Sequence, residues 1–188
     1  MSRWPADSRA RLVQASLDLF AERGFDQTTV ADIAARAGLT ERTFFRQFAD
    51  KREVLFHGGQ AMEDLMVAGV RAAPPDASPL AVVAAGVTAV APAFAGRQEW
   101  SRLRQRIIDG HPELQEREVS KLARLAQALA DALRARGVPD PTARLAADSG
   151  IAVFRAAFAQ WITSDDGDMG TLMEECLDEL VKVTGSGR

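Results

Sequence analysis

Thr28 to Lys51 read TTVADIAARAGLTERTFFRQFADK, and this stretch decides the fold. Thr29 and Asp32 stand at capping-box spacing, so a helix is predicted to open at Thr28-Thr29. Val30, Ile33, Ala34 and Ala37 give that short helix one apolar side. Gly38 ends it, Leu39 turns inward, and Thr40 caps a second short helix over Glu41–Phe48. Two short helices joined by a three- to four-residue turn containing glycine make a helix-turn-helix.

The second of these helices has two unlike sides. Phe44 and Phe48, four residues apart, point into a bundle, while Arg42 and Arg46 share the opposite side with Thr43, Phe45 and Gln47 around them. An exposed arginine suits guanine, whose O6 and N7 accept two parallel hydrogen bonds in the major groove. Thr43 offers a methyl to thymine or a hydroxyl to phosphate, and Glu41 either accepts from cytosine N4 or favours the positive helix end. Thr29 and Thr40, at helix starts, and Lys51, with Asp50 capping the next helix, read as phosphate clamps.

Working outward, a preceding helix is expected over Ser8–Arg23, capped by Asp7 or Ser8, with Leu12, Ala15, Leu19 and Phe20 inward and Gly24 as its stop. A fourth helix is expected from about residue 51 to Ala72, weakened by His57-Gly58-Gly59 within it and ending before Pro74-Pro75. Ser78-Pro79 restarts a helix, Pro92 predicts a break before Gly96, and a further helix carries Trp100, Leu103 and Ile107 to Gly110. Pro112 opens a long helix closing at Gly137, Asp140-Pro141 opens another, and a last helix lies near 168–183 with a frayed tail from Thr184. The expected class is all-α, with residues 1–50 as a helix-turn-helix domain and 51–188 as a larger helical domain.

The order of these residues carries a family resemblance. Gly24 to Val30, Ile33-Ala34, Ala37 to Thr40, and Thr43 to Phe48 with Asp50-Lys51 look like the TetR family of bacterial repressors, over about residues 9–56 without a gap. The resemblance implies a three-helix DNA-binding domain, joined by helix 51–72 to a C-terminal domain that dimerises and binds an effector. It thus implies a palindromic double-stranded operator, a homodimer and release by a small molecule. Phe45 stands where the family usually has a tyrosine whose hydroxyl touches phosphate, and Gln47 where histidine is frequent. Ile107-Ile108 and His111 to Leu114 resemble the C-terminal domain of mycofactocin-type regulators, which points to a lipophilic or acyl-thioester effector.

Within the C-terminal domain, Trp100, Leu103, Arg104, Ile107, His111 and Phe154 are candidates to line the effector cavity. Arg102, Arg104 and Arg106 beside Trp100 are read as a group that could greet an anionic head. By family analogy the last two long helices form the dimer interface, through Ala146, Gly150 and Ala157 for close approach and Phe158, Trp161, Leu177 and Leu180 as anchors.

Composition fits this picture. The net charge is −3, with +1 on residues 1–57 and −4 on the remainder, a split that fits a DNA-facing N-terminal part and equally fits ordinary fluctuation in charge. Cys176 is the lone cysteine, and His57 and His111 stand outside any ligand spacing, so neither a disulfide, a metal site nor a cofactor is expected. No nucleophile elbow, Walker loop or dinucleotide loop occurs, which argues against an enzyme. No apolar run reaches membrane-spanning length and the first residues lack a secretory pattern, so a cytoplasmic protein is expected. The rival reading is a helical ligand carrier that never meets DNA. An activator on the same scaffold is the other.

Overall fold

The computed structural model describes residues 5–165 and 167–185. The expectations for the first four residues, and for Asp7 as a cap, fall outside the described backbone and side chains respectively. The described residues form ten α-helices and one 3-10 turn, without a strand. In chain order they are α1 (Pro5–Arg23), α2 (Val30–Arg36), α3 (Glu41–Gln47), α4 (Glu53–Phe56), α5 (Gly59–Ala72), α6 (Pro79–Thr88), the 3-10 turn (Ala91–Phe94), α7 (Gln98–Asp109), α8 (Pro112–Ala135), α9 (Asp140–Thr163) and α10 (Met169–Gly185).

Helix α1 begins at Pro5, so Ser8 lies in its first turn and is not its cap. Pro92 breaks the chain as expected, into the short 3-10 turn. The helix expected over residues 51–72 is two helices. The His57-Gly58 pair interrupts it, with the His57 Nδ1 donating to the Val54 carbonyl at 2.7 Å. Two successive glycines weaken a helix by about 1 kcal/mol each relative to alanine, and the interruption sits where they occur.

Two compact units result. The first comprises residues 1–57 with Leu103–Gly110, and the second Gly58–Arg102 with His111–Arg188. This differs from a division at residue 50: α4 joins the first unit, and so does the second half of α7. Arg104 explains the latter. Its Nε donates to the Leu55 carbonyl at 2.6 Å, and its guanidinium stands 5.1 Å from the Phe56 ring centroid.

In the first unit α1, α2 and α3 pack on one another around Leu12, Leu19, Phe20, Ile33 and Phe44. In the second, α5 pairs with α6 and α8, and α9 packs on α6, α8 and α10. Its core is Met66, Val70, Val83, Val87, Leu125, Leu129, Leu133, Phe154, Trp161 and Met173, with smaller residues between them. Glycine permits the tightest of these approaches. A methyl group at Gly150 would stand 2.2 Å from Val83 Cγ1, so α6 and α9 meet at a distance that no larger residue fits.

Several residues expected at a dimer surface are taken up within the chain. Ala146, Gly150, Ala157 and Trp161 are buried inside the chain, while Phe158, Leu177 and Leu180 are half-buried. Small residues allow close packing on either side of a helix, and Gly150 uses that freedom against Val83 and Val87 of α6. The outward side of α9 is instead Leu145, Ser149, Ala152, Ala156 and Ala159, with Leu145 70% exposed. No single described helix is long and apolar enough to cross a membrane.

Candidate nucleic-acid interface

Local chemistry builds α2 and α3. The Thr29 hydroxyl accepts from the Asp32 N–H at 3.1 Å, while the Asp32 carboxylate accepts from the Thr29 N–H at 3.0 Å and the Thr29 hydroxyl at 2.6 Å. This is the capping box expected from the spacing. At α3 the Thr40 hydroxyl accepts from the Thr43 N–H at 3.2 Å and lies 3.0 Å from the Thr43 hydroxyl. Between the helices Gly38 adopts φ +63°, a conformation costly for residues with a Cβ.

Longer contacts then fix the turn. Arg11 Nη2 donates to the Ala37 carbonyl, and more weakly to that of Gly38 at 3.5 Å, completing acceptors left open at the end of α2. A Cβ at Gly38 would lie 2.9 Å from that same nitrogen. Arg36 forms two parallel bonds to Glu22, at 2.9 and 2.6 Å, tying α2 to α1. Arg36 holds the Glu22 carboxyl below its ordinary pKa, and the hydrogen bonds from Thr29 do the same to Asp32, with Arg23 at 3.4 Å assisting. Arg11 has no local signature, because its partners lie 26 and 27 residues away.

On α3, Phe44 is fully buried, while Glu41, Arg42, Phe45 and Arg46 are exposed and Thr43 and Gln47 half-buried. Glu41 and Phe45 form one i, i+4 row, and Arg42 and Arg46 the next. Neither arginine makes a hydrogen bond or ion pair to another described residue. Thr29 and Thr40 are exposed, but their hydroxyls already serve their own caps.

Lys51 has a different place from the one expected. Its Nζ donates to the carbonyls of Phe25, Asp26 and Thr28 at 2.7, 3.2 and 2.9 Å, and lies 4.5 Å from the Phe25 ring centroid. An ammonium has three donors, and here all three close the loop before α2. Burial pushes its pKa down from the ordinary lysine value, with Asp26 opposing.

The effector candidates divide between the units: Leu103, Arg104 and Ile107 belong to the first, Trp100, His111 and Phe154 to the second. Arg104 is 5% exposed and bonded to Leu55, so its guanidinium braces the end of α4. Arg102 donates to the Ile162 carbonyl at 2.7 Å, to the Ser164 carbonyl, and to Glu99 at 2.6 Å. The three arginines do not group, because a two-residue step turns an α-helix about 200° and puts Arg104 opposite Arg102 and Arg106. Phe154 lies in a ring cluster, 6.0 Å from both Phe94 and Phe158. Sequence reasoning missed Ser101, whose hydroxyl is buried and has no hydrogen-bond partner among the described residues. A serine amid arginines gives no pattern that marks it.

Two open cavities lie in the second unit. One, of about 760 Å³, runs between α5 and α8 and is lined by Glu63, Asp64, Val67, Arg71, Asp131 and Arg136. Another, of about 450 Å³, has Phe94, Gln98, Glu99, Trp161, Asp168 and Met169 on its walls. Among the described residues no group of three or more histidine, cysteine or carboxylate side chains is placed to hold a metal ion.

Comparison with known proteins gives these shapes a context. Residues 12–57 match the family described as bacterial regulatory proteins, tetR family, and residues 77–185 match the MftR C-terminal domain. The chain is 34% identical over 83 residues to the HTH-type transcriptional regulator TcmR of Streptomyces glaucescens, an alignment spanning 44% of this chain and 37% of that protein. Among solved structures, a TetR-family regulator from Syntrophomonas wolfei is similar at TM-score 0.68 and 19% identity, covering 96% of this chain and 95% of that one. FadR of Bacillus subtilis, solved with stearoyl-CoA, gives TM-score 0.65 at 20% identity over 92% and 97% of the two chains. Thermus thermophilus FadR, a repressor solved with lauroyl-CoA, gives 0.57 at 23% identity over 92% and 93%. At these identities the structural likeness speaks for the fold.

Proposed function

Since the chain belongs to the tetR family of bacterial regulatory proteins, we propose that it represses transcription from a palindromic operator and is released by a small molecule. One observation carries the DNA-binding half. Arg11, Arg23, Arg36 and Lys51 are all engaged within the first unit, whereas Arg42 and Arg46 extend from a capped, braced helix with no partner among the described residues. Charge held out from a rigid element is what a groove-reading helix requires.

The roles follow. Arg42 and Arg46 read base edges, and Glu41, Thr43, Phe45 and Gln47 border them. Thr29 and Thr40 cap helices whose first residues, Val30 and Ala31 in α2 and Glu41 and Arg42 in α3, turn their N–H groups to phosphate. Lys51 works indirectly, by holding the loop that positions Thr29. In a homodimer the two α3 helices enter successive major grooves about 34–36 Å apart. The α9 face of Leu145, Ala152, Ala156 and Ala159, with Leu177, Leu180 and Val181 of α10, offers the apolar stripe for pairing.

The effector is proposed to be lipophilic or an acyl thioester, supported by the MftR-type C-terminal match and by the acyl-CoA bound to two structural neighbours. Release requires only that the ligand bind one conformation better than the other. The reading gives the chain no catalytic role, no resident cofactor and a place in the cytoplasm.

Selection of bound fragments from genomic DNA, then titration of the best site with wild type and Arg46→Ala at two salt concentrations, tests the proposal. A palindrome bound tightly by wild type and at least tenfold more weakly by the variant is expected. No enriched site, before or after unfolding and refolding to strip ligand, would favour a helical ligand carrier. An operator whose occupation raises transcription would make the protein an activator.

A further inference from the structure

Among the described residues Phe45 is the aromatic side chain that the fold leaves exposed. The residue is 55% exposed, beside Arg42 and Arg46 on the outward side of α3. It does not lie loose there. It meets the buried Phe44 ring edge to face, at 5.7 Å and 84°, and Phe44 in turn packs against Phe48 at 5.5 Å. The ring is therefore braced from below and projects as an apolar knob. Leaving it in water gains the free protein nothing, and a phenyl group can neither bond a phosphate nor pair with a polar base edge.

Of everything that base pairs present in the major groove, the one apolar feature is the C5-methyl of thymine. We propose that Phe45 recognises this methyl group at one position in each half of the operator. The inference rests on the DNA-binding reading and deepens it: the arginine row reads hydrogen-bond acceptors, and the adjacent row reads a methyl. Two neighbouring features of different chemistry define a step, a thymine close to a guanine, that neither row specifies alone. The same contact accepts 5-methylcytosine and discriminates against cytosine and uracil.

The test uses the full-length protein and the best site from a random DNA pool. Each thymine in turn is replaced by deoxyuracil, which removes one methyl and leaves every hydrogen-bonding edge and phosphate in place. At one symmetry-related pair of positions the wild type is expected to lose about fourfold in affinity per methyl, from the transfer free energy of one such group. The two half-sites together then give about fifteenfold, if distant sites add. At other thymines the change is expected to stay under twofold. Phe45→Ala binds both forms of the critical position alike, and Phe45→Leu, which keeps an apolar side chain, retains part of the discrimination. Cytosine placed there gains the same factor on methylation at C5.

A selected site without thymine in its half-sites overturns the proposal, as does a Phe45→Ala profile matching the wild type. If a site is enriched and Arg46→Ala weakens it while no methyl matters, Phe45 has been misread and DNA binding stands. If no site is enriched at all, the DNA-binding reading fails with it.

Discussion

Replacing Lys51 by methionine separates two roles that the residue's identity cannot. Its ammonium makes two part-buried hydrogen bonds, to the Phe25 and Thr28 carbonyls, and an exposed one to Asp26, above the Phe25 ring. Counting the part-buried pair at about 1.5 kcal/mol each and leaving the exposed bond to water gives roughly 3 kcal/mol. The ring contact adds about 0.5–1 kcal/mol. Against this, the freed side chain regains about 1 kcal/mol of rotamer entropy. The net expectation is a loss of about 2–3 kcal/mol in the first unit. Hydrogen exchange should show it as faster opening of the amides of residues 25–30, and denaturant unfolding as a lower midpoint. Operator affinity, measured across salt concentrations where the variant is still folded, should fall without a change of slope. A phosphate contact instead contributes about 0.9 to that slope, so a dimer losing two would flatten it by nearly 2. A flattened slope with unchanged stability would refute the staple and restore Lys51 to the DNA backbone.

Two further expectations concern the same framework. Asp32 and Glu22 have pKa values lowered in the fold, so the stability they contribute is present above their unfolded values and lost as pH falls through the folded ones. Unfolding midpoints should decline through the acidic range, and Asp32→Asn should remove part of that dependence. In the second unit, Gly150→Ala forces a methyl against Val83 and Val87, so denaturant unfolding should show a loss of about 1–3 kcal/mol.

What the sequence made legible was local. Thr29 with Asp32, Gly38, and Thr40 as the cap of α3 settle the helix-turn-helix within a few residues of one another, and each took its expected place. The intrachain partners of Lys51 and Arg104 were not legible because they are distant: the carbonyls that Lys51 meets lie 23 to 26 residues back, and the Leu55 carbonyl 49 residues from Arg104. A cation aimed at a phosphate and one aimed at a peptide carbonyl are the same letter. Gly150 and Ala157 posed a similar ambiguity, since small residues admit close neighbours without saying whether the neighbour is α6 or a second chain.

The assignment of Leu103–Gly110 to the first unit bears on how such proteins can be recombined. A cut after His57 looks like a natural seam between a reading head and a sensor, yet it strands the segment whose Arg104 braces Leu55 and Phe56. A chimaera joined there would fit one protein's α4 against another's α7. Exchange of heads therefore selects for donors whose residues at both places agree, and a designer who wants a portable head must graft two pieces of sequence and not one.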